Sequence, residues 1–153
     1  MPLHALHAVG LRDETVALAY FFSGARGDRA EDAFEALLAV ETRPLWRRGA
    51  AAAPVAATVA GRVVCVQDAG ADLVFLLSGD EDEDELGLAQ ALPVLLRVLA
   101  LVCEQELPRL AAAQLVAAHG KVVQCLAEAY PLGVRRSTNA EAVVRAAKLK
   151  ALA

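Results

Sequence analysis

The residues with the most obvious chemical potential are six consecutive carboxylates, Asp80 to Glu85, within the stretch "VFLLSGDEDEDEL" (74–86). Carboxylate oxygens are ligands for Ca²⁺ and Mg²⁺, so a cation site is the first hypothesis. Adjacent side chains diverge in regular structure, however, and an EF-hand loop needs alternate ligands around a central glycine. Carboxylates in the first turn of a helix instead meet free N–H groups and the positive end of the helix dipole. The run predicts the solvated start of a helix, with partner binding or a weak cation site as alternatives.

Three histidines are the other candidates for metal or acid–base chemistry. His4 and His7 lie three apart in a strand-like segment, so the alternation of a strand predicts that they point to opposite faces and cannot chelate one ion. His119 stands beside Gly120 without a base and an orienting partner nearby in the sequence. No nucleophile-elbow pattern surrounds the hydroxyl residues Ser78, Ser137 and Thr138.

Phosphate, disulfide and zinc chemistry also lack their patterns. The segment "SGARGD" (23–28) has two glycines but no following Lys-Ser or Lys-Thr, so it is not a phosphate-binding loop. Cys65, Cys103 and Cys125 are odd in number, far apart and set in apolar surroundings, which predicts buried free thiols in a reducing compartment. We therefore expect a protein that is not an enzyme and that has no cofactor, no metal and no catalytic residue.

Composition narrows the class of protein further. The 153 residues are 57% hydrophobic and 22% charged, which predicts one globular domain spanning 1–153. A net charge of −4 argues against a generic nucleic-acid binder. The most apolar window, Leu86–Cys103, contains Gln90, Pro93 and Arg97, which argues against a membrane span. We expect a soluble, cytoplasmic protein.

The C-terminal segment is basic where the middle of the chain is acidic. Its cations could meet anionic lipid or an acidic protein surface, or could form the charged outer face of a terminal helix. They are Arg135, Arg136, Arg145, Lys148 and Lys150.

Apolar periodicity and turn signals give the elements that position these groups. Asp28 with Glu31, and Thr138 with Glu141, have the spacing of helix capping boxes. A helical stripe from Leu86 to Val102 carries Pro93, where we expect a kink or a restart. The order β-β-α-β-β-β-α-α-α predicts an α+β domain with a five-stranded, mostly antiparallel sheet flanked by helices. The predicted strands are 3–11, 16–22, 55–61, 62–67 and 72–78, and the other predicted helices are 28–46, Pro108 to Tyr130, and the segment after Thr138.

Three stretches then resemble the small subunits of vesicle-coat complexes. In "GRVVCVQDAGADLVFLLSGDEDEDEL" (61–86), "EDEL" stands where that family has E-N-E-L or D-N-N-L before a long helix. The stretch "KVVQCLAEAYPLGVRRSTNAEAVVRAAKLKAL" (121–152) resembles the closing segment, with Ala127-Glu128 at the usual Asp-Glu. The opening "LAYFF" (18–22) replaces L-A-K-W-Y of the first hairpin.

The resemblance implies a longin-like fold and a structural role. Relatives of this kind are the adaptor sigma chains, coatomer zeta and the small subunits of TSET/TPLATE. It implies a heterotetrameric coat, with a large adaptin-like solenoid subunit and a medium subunit as partners and peripheral membrane association through the complex. Ala17 stands where sigma chains carry an Arg for dileucine cargo, and Leu101 replaces an Asn before "VCE" (102–104). Both departures favour a zeta-type or TSET-type subunit.

Four residues are the expected partner contacts: Leu99 and Val102 on the long helix, and Arg135 and Arg136 in the basic segment. The alternative is a free-standing longin or roadblock-like module that binds a small GTPase or a SNARE in trafficking regulation.

Overall fold

The computed structural model describes residues 3–22, 29–46, 53–79, 85–134 and 139–152. The predicted α+β class and element order are confirmed in these residues. The strands are β1 (Leu3–Gly10), β2 (Val16–Phe21), β3 (Val55–Val59), β4 (Arg62–Asp68) and β5 (Leu73–Gly79). The helices are α1 (Arg29–Thr42), α2 (Glu85–Val102), α3 (Ala112–Ala117), α4 (His119–Ala129) and α5 (Ala140–Leu152).

The five strands form one antiparallel sheet in the order β2-β1-β5-β4-β3. Strand β5 is central and buried along its whole length, which fits its unbroken apolar run "LVFLL" (73–77). The tight turn between β3 and β4 places Ala60 and Gly61 at positive φ, 51° and 82°. That conformation is the one that two-residue hairpin turns require.

One face of the sheet carries a wholly apolar core under the helices α2, α3, α4 and α5. Helix α2 provides its centre, and it contacts β4, β5, α4 and α5. By length and composition α2 could also cross a membrane, but its buried side chains mark it as a core helix of this fold. Those side chains are Leu88, Ala91, Leu92, Leu95, Leu96, Val98, Leu99 and Ala100. Pro93 lies in the exposed part of α2, and the helix runs on through it.

The opposite face of the sheet is covered by α1 and by residues 43–46 after it. Phe34, Leu38 and Trp46 pack there on valines of β3, β4 and β5. The indole N–H of Trp46 donates to Thr42 Oγ1 (2.9 Å), and the Thr42 hydroxyl donates to the Leu38 carbonyl (2.6 Å). This chain of hydrogen bonds satisfies two buried polar groups at the end of the helix.

Two predicted helices were wrong in detail. The first helix ends at Thr42 rather than at residue 46, because a 3₁₀ turn, Arg43–Leu45, follows around Pro44. The predicted helix from Pro108 to Tyr130 is a 3₁₀ turn, Leu107–Arg109, followed by α3 and α4. The helix is interrupted at Ala118 because α3 packs on β1 and β2 whereas α4 packs on α2 and α5.

The cap of α5 also differs from the prediction. Asn139 Oδ1 accepts from the N–H of Ala142 (3.1 Å), so the N-cap of α5 is Asn139, one residue after the predicted Thr138. Thr138 and the predicted N-cap Asp28 lie outside the described residues.

Candidate partner-binding surface

The C-terminal end of α2 is the structural centre of the candidate surface. The N–H of Gln105 donates to the Ala100 carbonyl (3.1 Å) and the N–H of Glu104 donates to the Leu101 carbonyl (3.2 Å). This pair of bonds is the Schellman motif, in which the residue at the Glu104 position is usually glycine because it is left-handed. Glu104 adopts that conformation at φ 52°. An exposed acid is thus held in a conformation that costs an L-residue about 1–2 kcal/mol.

Depressions meet around this helix end in the described part of the chain. The largest, which we call the α2 groove, has a volume of about 730 Å³ and runs from Pro93 past Leu101 to Leu107. A crevice of about 400 Å³ lies between α2, α4 and α5, and Val102, Lys121 and Lys148 line it. Val102 also lines a third depression, of about 470 Å³, toward α3.

The walls of the α2 groove are fixed by backbone contacts. The N–H of Ala71 donates to the Leu110 carbonyl (2.7 Å), which ties the turn between β4 and β5 to the segment after α2. Gly70 makes this approach possible at φ 80°, because a Cβ there would lie 2.8 Å from the same carbonyl oxygen. Ala69 and Leu107, which both line the groove, belong to the two segments that these contacts join.

Ion pairs hold α5 against its neighbours. Arg97 of α2 donates to Glu141 of α5 (2.9 Å), and this hydrogen bond lowers the pKa of the Glu141 carboxyl. Lys150 of α5 contacts Glu128 of α4 (2.6 Å). The Arg97–Glu141 pair is exposed on both sides and contributes little stability, whereas Glu128 in the second pair is mostly buried.

The two strand histidines lie on the same face of the sheet, and the prediction of opposite faces was wrong. A bulge between Leu3 and Ala5 in the pairing of β1 with β5 turns His4 toward α1. The His4 ring lies 5.0 Å from that of Phe34, and His7 Nε2 lies 3.0 Å from Glu35 Oε1. Both histidines are therefore under α1, and both rings make T-shaped contacts with the ring of Phe21.

The His4–Ser78 pair has the wrong polarity for a nucleophile. The Ser78 hydroxyl donates its hydrogen to the Ala5 carbonyl (3.2 Å), so His4 Nδ1 donates to Ser78 Oγ (3.0 Å). A catalytic serine donates to its histidine instead. Ser78 is 1% exposed and His4 is 6% exposed, and the pair therefore satisfies polar groups within the core.

The thiols are free, as expected, but only Cys65 and Cys125 are buried, and Cys103 is half-buried. Burial, with a smaller contribution from Glu85, raises the pKa of Cys65 to about 11. Burial also raises the pKa of Cys103 and of Cys125. Reactive cysteines have the opposite shift. Within the described ranges, no three His, Cys, Asp or Glu side chains are grouped to hold a metal ion.

The structure separates the residues expected to contact a partner. Leu99 is fully buried in the core and offers no surface, whereas Val102 is half-buried and lines two depressions. Arg135 and Arg136 lie outside the described residues, as does the acid run from Asp80 to Asp84. Glu85 begins α2, in line with the predicted helix start. The sequence reasoning missed the groove residues Leu101 and Leu107, although a second i, i+4 row (93, 97, 101) beside the core stripe was a signal for them.

Comparisons with known proteins agree with this architecture. No protein-family model matches the sequence, and no curated protein matches it. Among structures, 28 chains match. One belongs to a "homology model of the full-length AP-3 complex in a stretched open conformation". That chain is 14% identical, with a TM-score of 0.59, and the match covers 98% of this chain and 94% of that chain. The protein thus has the fold of a chain of the AP-3 complex, in agreement with the predicted longin-like class.

Proposed function

We propose that the protein is a non-enzymatic small subunit, of the sigma or zeta type, in a heterotetrameric adaptor or coat complex of membrane trafficking. The observation that carries the proposal is the mutual coverage of 98% and 94% with a chain of the AP-3 complex. Because the match covers nearly all of both chains, the other chain is similar in length to this one. This similarity in length supports a small-subunit role.

The physical character of the surface supports a packing role. Depressions lined by apolar and polar residues surround the end of α2, whereas His4, Ser78 and Cys65 are buried. Interfaces of this kind combine apolar contacts with a polar rim. In the proposed complex, the trunk of a large solenoid subunit covers this surface, and the protein is cytoplasmic and peripheral on membranes through that partner.

Co-expression with adaptin-like large and medium chains tests the proposal. We expect a stable complex with one copy of each chain on size-exclusion chromatography with light scattering. The Val102→Glu variant should weaken the complex, and Val116→Glu, on the exposed side of α3, is the matched control. The paired change Arg135→Ala with Arg136→Ala tests whether the basic segment contributes.

A different result would favour the alternative of a free-standing module. If the chain stays monomeric beside every large chain but binds a purified small GTPase or SNARE stoichiometrically, the subunit proposal fails.

A further inference from the structure

The shape of the α2 groove is suited to binding another helix. Two neighbouring rows of α2 line it, a buried row of Leu92, Leu96 and Ala100 and an outer row of Pro93, Arg97 and Leu101. Both rows advance by four residues, which produces parallel ridges with a valley between them. The rows extend along about 13 Å of α2 at 1.5 Å per residue, the length of more than two helical turns.

The charge at the rim of the α2 groove is acidic. Arg97 is engaged with Glu141 of the same chain, so its charge is already compensated. Glu104 and Glu106 line the far end, and within the described residues neither carboxylate has a cation at ion-pair distance. The occupant that complements this rim carries cations at that end.

The conformation of Glu104 points the same way. Glycine would relieve the left-handed backbone, and the Glu104 side chain makes no hydrogen bond to the described residues that would offset the cost. Glu104 lines both the α2 groove and the crevice between α2, α4 and α5. Strain of this kind concentrates at binding sites.

We propose that the α2 groove binds an amphipathic helix of a partner subunit, whose leucine-type stripe packs between the two ridges and whose lysines or arginines pair with Glu104 and Glu106. The inference rests on the proposed function in taking that helix from another subunit of the complex. Helix-in-groove recognition supplies the apolar part of the affinity, and the acidic rim sets the orientation.

Two designed peptides test the groove without the natural partner. Both are hydrocarbon-stapled helices of about 15 residues, long enough to exceed the groove. They share one leucine stripe and differ only in flanking residues, lysine in one and glutamate in the other. We expect the lysine peptide to bind about tenfold more tightly by fluorescence anisotropy at low salt, and to shift NMR signals of Leu101 and Leu107. Equal affinities, shifts elsewhere, binding of neither peptide, or self-association through this face would overturn the proposal.

Variants of the rim complete the test. The paired change Glu104→Gln with Glu106→Gln should remove most of the preference for the lysine peptide. Glu104→Gly should weaken that peptide about threefold while raising Tm by about 2–3 °C, because glycine relieves the left-handed backbone. Ala60→Gly is the matched control, because Ala60 is also left-handed (φ 51°) but lies in the turn between β3 and β4. It should leave peptide binding unchanged.

The outcomes separate this inference from the proposed function. If the chain assembles with a large subunit but the rim variants leave peptide binding unchanged, the groove proposal fails and the function stands. If the lysine peptide binds as expected but no adaptor-type complex forms, the subunit assignment fails and the groove is a helix site for another partner.

Discussion

The two faces of the sheet solve the same burial problem with different chemistry. Under α2 to α5 the core is built from leucine, valine, alanine and phenylalanine, together with Cys65, Cys125 and Tyr130. Under α1, buried polar groups are interleaved with the apolar side chains: His4, His7, Thr42 and Ser78. The first face stabilises the fold through the burial of apolar surface. The second also depends on hydrogen bonds between its buried polar groups. Substitutions should therefore fail for different reasons on the two faces.

The largest effect is expected on the apolar face from Leu99→Ala. Leu99 is fully buried in the wholly apolar core, so the change leaves a cavity and should lower the free energy of unfolding by about 2–5 kcal/mol. Urea denaturation followed by circular dichroism measures this loss. If stability were unchanged and only partner affinity fell, Leu99 would be an interface residue after all.

The second-largest effect is expected on the same face, where alkaline pH should lower the free energy of unfolding. The pKa of Cys65 is about 11 in the folded protein and 9.0 in the unfolded chain, so the stabilising contribution is complete below pH 9. It is lost as the pH rises from 9 to 11, by up to about 2–3 kcal/mol at 1.36 kcal/mol for each pKa unit. Cys103 and Cys125 add in the same direction. Unfolding at pH 8 and pH 10.5 should show the loss, and Cys65→Ala should reduce it. A pH-independent stability up to pH 11 would contradict the burial of this thiol.

On the α1 face, Thr42→Val removes a hydroxyl while keeping the shape of the side chain. It leaves the buried indole N–H of Trp46 without its acceptor, which should cost about 1–3 kcal/mol. Trp46→Phe in the Thr42→Val background should cost less than it does in the wild type, because the orphaned donor is gone. Additive costs in this double-mutant cycle would show that the hydrogen bond contributes little.

The smallest effect is expected from Glu35, which contacts His7 from α1. Glu35→Gln keeps a hydrogen-bonding group and should lower stability by about 0.5–1 kcal/mol, since the Glu35 carboxylate is partly exposed. Glu41→Gln, on the exposed side of the same helix, is the control and should be neutral. A loss larger than that of Thr42→Val would mean that the histidine contact, rather than the tryptophan, holds α1 on the sheet.

Local patterns were enough to predict the architecture. The alternating or continuous apolar runs, the turn residues and the helical stripe from Leu86 placed all five strands and most helix starts. The predictions that failed concern features that arise only from tertiary packing. The bulge at His4 arises from the pairing of β1 with β5, and the break at Ala118 arises because α3 and α4 pack on different elements. Periodicity within a single segment contains neither fact.

The candidate surface was predictable only in part, for a related reason. Leu99 and Val102 belong to the same apolar stripe, and only the packed structure shows that one is covered and the other is not. The left-handed backbone of Glu104 has no signal in its residue type, since glycine is the residue expected there.

The strand order has a kinetic consequence. The hairpin β1–β2 and the meander β3–β4–β5 are each closed by short turns, and only the ladder between β1 and β5 joins them. That ladder pairs Leu6 with Leu77, so a long loop must close before the sheet becomes continuous. Loop closure of this length slows folding far more than it lowers stability. We therefore expect the principal transient species during refolding to have both the hairpin and the meander formed but β1 not yet paired with β5. In that species the edge of β5 that later pairs with β1 is open to other strands.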